Sequence, residues 1–106
     1  MKIHVKDLKE RLLKAAQKQS RTDRYQLKAL RAERHRATSS GLPWVEYPSC
    51  NIVGWYEKKQ CVRVLGWTKA EIARSEKTGI PLAALPPVRA MRLELILEYE
   101  GMEVVW

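Results

Sequence analysis

Phenylalanine is absent from this 106-residue chain, and cysteine and histidine occur only twice each. No apolar run near the start approaches the ~20 residues needed to cross a bilayer. Met1-Lys2-Ile3-His4-Val5 is followed by charges rather than by a ~7–15-residue apolar stretch, so no secretory signal is visible and a cytoplasmic protein is expected. Cys50 and Cys61 make no disulfide framework, and with no histidine between them they have no zinc-ligand spacing. They read as small buried hydrophobes in a reducing compartment. The chain also lacks a Gly-rich phosphate loop, an HExxH pair and a serine elbow. The only acidic neighbours near the histidines are Asp7, three residues from His4, and Glu33, two residues from His35. The expectation is a protein that is not an enzyme and carries no metal or cofactor.

What the chain does have is charge, unevenly placed. The net charge is +8, and residues 1–40 hold all of it, with twelve bases against four acids. Residues 41–106 hold eight of each sign and are neutral. A basic segment joined to a neutral apolar body points to a polyanionic partner for the first and a folded core for the second. We therefore expect a basic helical arm over 1–40 and a small α+β body over 41–106. A body of that size is marginal alone, which leaves a homodimer open.

Residues 5–19 carry Val5, Leu8, Leu12 and Ala15/Ala16 at helical spacing, with Lys6, Lys9, Arg11, Lys14 and Lys18 over much of the remaining surface. Residues 23–37 are also rich in helix formers, so one long helix and a helical hairpin both remain open over 6–37. Thr38-Ser39-Ser40-Gly41-Leu42-Pro43 is the clearest break. Residues 44–66 read as a hairpin around Glu57-Lys58-Lys59-Gln60, or as a helix capped by Ser49 and ended by Gly66. Thr68-Lys69-Ala70-Glu71 is a capping box, and Gly79 stops the helix it opens. Pro86-Pro87 leads into an apolar segment, 88–99, expected as a second C-terminal helix and the most buried element. Met102–Val105 and Met1–Val5 both alternate, which allows the two ends of the chain to pair as strands. The fold expected is helix-dominated α+β: a basic N-terminal helix or helical hairpin, a small β-hairpin and two C-terminal helices.

Arg21 to Arg36 supplies the functional argument. Positions 24, 28, 31 and 35 follow i, i+4, i+7 and i+11, and Arg21, Arg34 and Arg36 widen the stripe. Cations that neutralise phosphates release counterions, the main source of sequence-independent nucleic-acid affinity. The segment resembles the arginine-rich helices of small phage RNA-binding antiterminators, in residue type. The basic arm from Lys14 to Arg36 is expected to provide the phosphate contacts, through Lys14, Lys18, Arg21, Arg24, Lys28, Arg31, Arg34 and Arg36. Leu65-Gly66-Trp67-Thr68-Lys69-Ala70-Glu71-Ile72-Ala73-Arg74 with Thr78-Gly79-Ile80-Pro81 is similar to the first helix and turn of phage-type helix-turn-helix regulators. It departs from them in the extra Ser75-Glu76-Lys77 and in Pro86-Pro87, which cuts the recognition helix short.

The function expected is a small nucleic-acid-binding regulatory protein of phage or mobile-element type, taking RNA or DNA. The alternative is a small inhibitor or adaptor, anti-CRISPR-like, that binds a host protein or nucleoprotein complex. Trp44 and Trp106 are the candidate protein contacts, tryptophan being enriched at interface hot spots. No membrane partner is expected.

Overall fold

A computed structural model describes residues 1–20, 22–31 and 43–106. Those residues form one seven-stranded mixed sheet and two helices: β1 (Lys2–His4), α1 (Val5–Lys18), β2 (Tyr25–Leu30), β3 (Trp44–Tyr56), β4 (Cys61–Gly66), α2 (Lys69–Thr78), β5 (Val88–Arg92), β6 (Ile96–Tyr99) and β7 (Met102–Val105). The strand order is β1-β7-β6-β2-β3-β4-β5, with β1 parallel to β7 and every other pair antiparallel. The expected helix-dominated fold is therefore corrected to a sheet-dominated one.

Two segments account for the difference. Residues 25–30 were expected as helix and form the central strand. Read at period two, Tyr25, Leu27 and Ala29 share one face, and Leu27 and Ala29 are buried. Leu, Lys, Ala and Gln prefer helix, but β2 is hydrogen-bonded by β3 on one side and β6 on the other, and that pairing overrides propensity. Residues 88–99 were expected as one buried helix. They split into β5, a 3-10 turn over Leu93–Leu95, and β6. Gly79 does cap α2, at φ 73°, but no second helix follows it among the described residues.

The turn at 93–95 has a geometric consequence. Four extended residues reach at most ~14 Å. In a flat sheet the four strand spacings from β5 to β6 would span ~19 Å. The sheet must therefore coil strongly. Register shifts in β3, between Ile52 and Gly54 and opposite Tyr25/Leu27, provide the extra twist.

The concave face holds the core: Leu27, Ile52, Val62, Val64, Ile96 and Tyr99, closed by Val5, Leu8, Leu12, Ala15 and Ala16 of α1. β3 is long because its two halves do different work. Trp44–Cys50 pairs with β2, and Cys50–Tyr56 pairs with β4. α2 packs beside the half that β4 does not reach, where Lys69 meets Glu46 at 4.0 Å.

The break expected at 38–43 to divide an arm from a body lies, except for Pro43, outside the described residues; the strands before and after it, β2 and β3, pair with each other, and the Arg31 N–H donates to the Pro43 carbonyl at 2.8 Å. Residues 1–31 thus contribute β1, α1 and β2 to this sheet and core. The segment 44–66 takes its hairpin form. The ends of the chain pair as well, Lys2 with Glu103 and Ile3 with Val104.

Candidate functional site

α1 displays basic residues because its other side is committed to the core. The His4 imidazole Nδ1 accepts from the Lys6 N–H at 3.1 Å and caps the first turn. Asp7 near the start and Lys18 in the last turn suit the helix dipole. With Val5, Leu8, Leu12, Ala15 and Ala16 buried, Lys6, Arg11, Lys14 and Lys18 are left exposed, and Lys9 half-exposed. Lys14 pairs with Glu10 at 3.4 Å, whereas Lys6, Arg11 and Lys18 have no ion pair among the described residues.

The β3–β4 turn extends this surface. Lys9 Nζ lies 3.2 Å from Glu57 Oε1 and 5.9 Å from the Trp55 ring. The Trp55 indole N–H donates to Glu57 Oε2 at 2.6 Å, and Gln60 Nε2 donates to Glu57 Oε1 at 3.0 Å. The indole donor first, then Gln60 and Lys9, hold the Glu57 carboxyl below its ordinary range. Its charge is thereby occupied. Lys58 and Lys59, the next two residues, are exposed and without an ion pair among the described residues. One contact, 48 residues apart in sequence, therefore ties a pair of turn lysines to the basic helix. An open cleft of about 360 Å³ runs between α1 and the β1/β7 edge, lined among others by Lys2, Arg11 and Lys14 with Asp7 and Glu10.

The remaining expected phosphate contacts are placed differently. Lys28 projects from the convex face of β2. Its cross-strand neighbours are Glu98 and Glu46, in a row that continues through Glu103 to Lys2. Lys28 Nζ sits 3.3 Å from Glu98 Oε2 and 4.9 Å from the Trp44 ring. Arg24 Nη1 donates to Asn51 Oδ1 at 3.1 Å, and Asn51 Nδ2 donates to the Asp23 carbonyl at 2.8 Å. Arg31 ends β2. A stripe at helical spacing does not survive in a strand, because side chains alternate at period two. Arg21, Arg34 and Arg36 lie outside the described residues. Of the eight expected residues, then, Lys14 and Lys18 stand on the solvent face of α1, and Arg24 and Lys28 are engaged by neighbours in the sheet.

Trp44 is half-buried beneath Lys28, and Trp106 is 71% exposed. Cys50 is fully buried, its Sγ 3.4 Å from the Tyr25 carbonyl, and burial pushes its thiol up to about 12. It is protonated at neutral pH and so a poor nucleophile. No three His, Cys, Asp or Glu side chains gather as metal ligands among the described residues. No helix among them is long and apolar enough to cross a membrane.

Sequence reasoning missed Lys58 and Lys59 as part of the basic surface. A Lys-Lys pair in a hairpin turn was visible, but its proximity to Lys9 was not. Compared with protein-family models, with curated proteins and with solved structures, the chain matches none.

Proposed function

We propose that this protein is a small nucleic-acid-binding regulatory protein whose first contact is electrostatic, made by the solvent face of α1 together with the Lys58–Lys59 turn. The observation that supports this reading is the docking of Glu57 on Lys9 and Trp55, which ties the turn carrying Lys58 and Lys59, exposed and without an ion pair among the described residues, to the basic helix. Core packing fixes the opposite side of the helix, so these charges sit on a rigid base rather than on a coil. Phosphate neutralisation needs positive charge and accessibility, and it needs no base-reading side chain.

The test is fluorescence anisotropy with a labelled duplex DNA and a labelled RNA, titrated over a range of salt. Contact with ~4 phosphates gives a slope of log K against log[salt] near −3.6 on duplex DNA. The Lys58→Ala/Lys59→Ala variant should lower that slope by about one to two. Absence of binding to both probes at low salt, or binding indifferent to salt, rules the proposal out.

A further inference from the structure

The two halves of the sheet's convex face carry different charge. From β1 to β3 its cations meet acids: Lys2 stands opposite Glu103, and Lys28 between Glu98 and Glu46. From β3 to β5 the register sets Tyr56, Cys61 and Arg92 in one row and Gly54, Arg63 and Ala90 in the next. Both rows face away from the core, because the alternate residues of β4, Val62 and Val64, are buried in it. Arg92 lies 3.6 Å from Glu94, both 60% exposed, and Arg63 has no ion pair among the described residues. Lys58 and Lys59 follow in the turn after Tyr56. The aromatic residue here is also unengaged. Tyr25 stacks on Tyr99, and Trp44, Tyr47 and Trp55 each have a cation over the ring. Tyr56 has no ring contact among the described residues and is 42% exposed.

We infer that this face binds single-stranded nucleic acid, with a base stacked on the Tyr56 ring and phosphates held by Arg63, Arg92 and the Lys58–Lys59 turn. The inference rests on the nucleic-acid reading above and names the form of nucleic acid. Cations around an aromatic ring complement a strand whose bases are unpaired, since every base offers a π-face and a duplex keeps its bases stacked on one another. The spacing suits one strand. Tyr56 and Arg63 are diagonal neighbours, ~7–8 Å apart, and Arg92 lies two strand spacings from Tyr56, ~10 Å. A Cβ at Gly54 would lie 3.7 Å from Cβ and Cδ of Arg63, so the arginine stem runs along the glycine toward β3. Gly54 and Ala90 on either side of Arg63 raise no bulk that would keep a base off the sheet. The Lys58–Lys59 turn makes this face continuous with the cations of α1, through the contact of Glu57 with Lys9. Residues 32–42 do not reach the ring. Held at Arg31 and Pro43, they extend at most ~20 Å from those ends. β3 from Trp44 to Tyr56 has a contour of ~40 Å, and spans ~28 Å even if bent to a right angle at its middle.

The test is fluorescence anisotropy with labelled oligo(dT) and oligo(rU) of about 12 nucleotides, and with an abasic strand of the same length and charge. Charge attraction alone does not distinguish a strand with bases from one without. The parent should bind oligo(dT), oligo(rU) or both about 5- to 100-fold more tightly than the abasic strand, and the tighter of the two tells DNA from RNA. Tyr56→Ala should remove most of that difference and keep the salt slope, whereas Tyr56→Phe, which retains the ring, should keep both. Arg63→Ala should instead lower the slope on a single strand by about 0.7. A second measurement needs no variant: irradiating the parent on a 5-iodouracil-substituted strand should cross-link Tyr56, located by peptide mass spectrometry. Equal affinity for strands with and without bases overturns the inference. So does a folded Tyr56→Ala protein that binds like the parent, or cross-linking confined to α1. Each of these leaves salt-dependent binding in place, whereas loss of every probe at low salt overturns the underlying reading as well.

Discussion

Glu71 and Arg89 join α2 to the edge strand through a two-point ion pair, and the same carboxylate also closes the cap of the helix. Glu71 Oε1 accepts from the Thr68 N–H at 2.9 Å, while the Thr68 hydroxyl accepts from the Glu71 N–H at 3.2 Å. Arg89 Nη1 and Nη2 each take one carboxylate oxygen, and the guanidinium lies 5.9 Å from the Tyr47 ring. One residue thus satisfies a helix end and fixes that helix against the sheet.

The pair makes stability depend on acid. The Arg89 hydrogen bonds, followed by the Thr68 donors, lower the Glu71 carboxyl to about 2 despite a partial burial that acts the other way. A carboxyl that is more acidic in the folded chain contributes its full stability above the unfolded value near 4.5, and loses it as pH falls toward 2. Glu71→Gln should cost on the order of 1–2 kcal/mol at neutral pH, discounted for the solvent that reaches both groups. It should also flatten the acid limb of a stability curve measured by urea unfolding between pH 5 and 2. An acid limb as steep as the parent's would assign that dependence to other carboxylates.

Gly66 is required by a close approach. A Cβ at this position would lie 2.6 Å from the Cβ of Cys50 and 3.1 Å from its Cα, on the neighbouring strand. The obstruction is a β-carbon and backbone, which cannot swing away. Gly66→Ala should destabilise by about 1–3 kcal/mol, read as a lower urea midpoint. The same substitution at Gly54, where the nearest atoms are 3.7 Å away on the Arg63 side chain, should cost less.

Lys28 and Lys18 should separate charge that serves the fold from charge that faces solvent. Lys28 stands between Glu98 and Glu46 over the Trp44 ring. Lys28→Ala should lower stability by about 0.2–1 kcal/mol and leave the salt slope of nucleic-acid binding nearly unchanged. Lys18→Ala, at an exposed position in the last turn of α1, should do the opposite, reducing the slope by about one with little change in unfolding. Equal slope losses in the two variants would place Lys28 at the interface.

What was legible in the sequence follows from the range of the interactions involved. α1 could be read because its apolar stripe recurs within fourteen contiguous residues. The Thr68/Glu71 box spans four positions, and Gly79, at φ 73°, acts on its own backbone. The hairpin over 44–66 was one of two open readings, because its apolar run fits either element and only pairing decides between them. β2 could not be found by such signals. Leu27, Lys28, Ala29 and Leu30 are sound helix formers, and what makes them a strand is β3 on one side and β6, some seventy residues away, on the other. The 88–99 segment failed for the same reason, its break at Leu93–Leu95 being set by the return of the chain from the sheet edge to its centre.

Local chemistry alone thus accounts for the two helices, their caps and the concentration of positive charge in the first forty residues, because each depends on identities a few positions apart. The pairing of Lys2 with Glu103, the docking of Glu57 on Lys9 and the enclosure of Lys28 by two glutamates belong to the tertiary structure. A sheet joins residues by backbone hydrogen bonds that carry little side-chain identity, so distant charges meet or part according to register. That register determines which of the chain's many cations are engaged within the sheet and which remain on its surface.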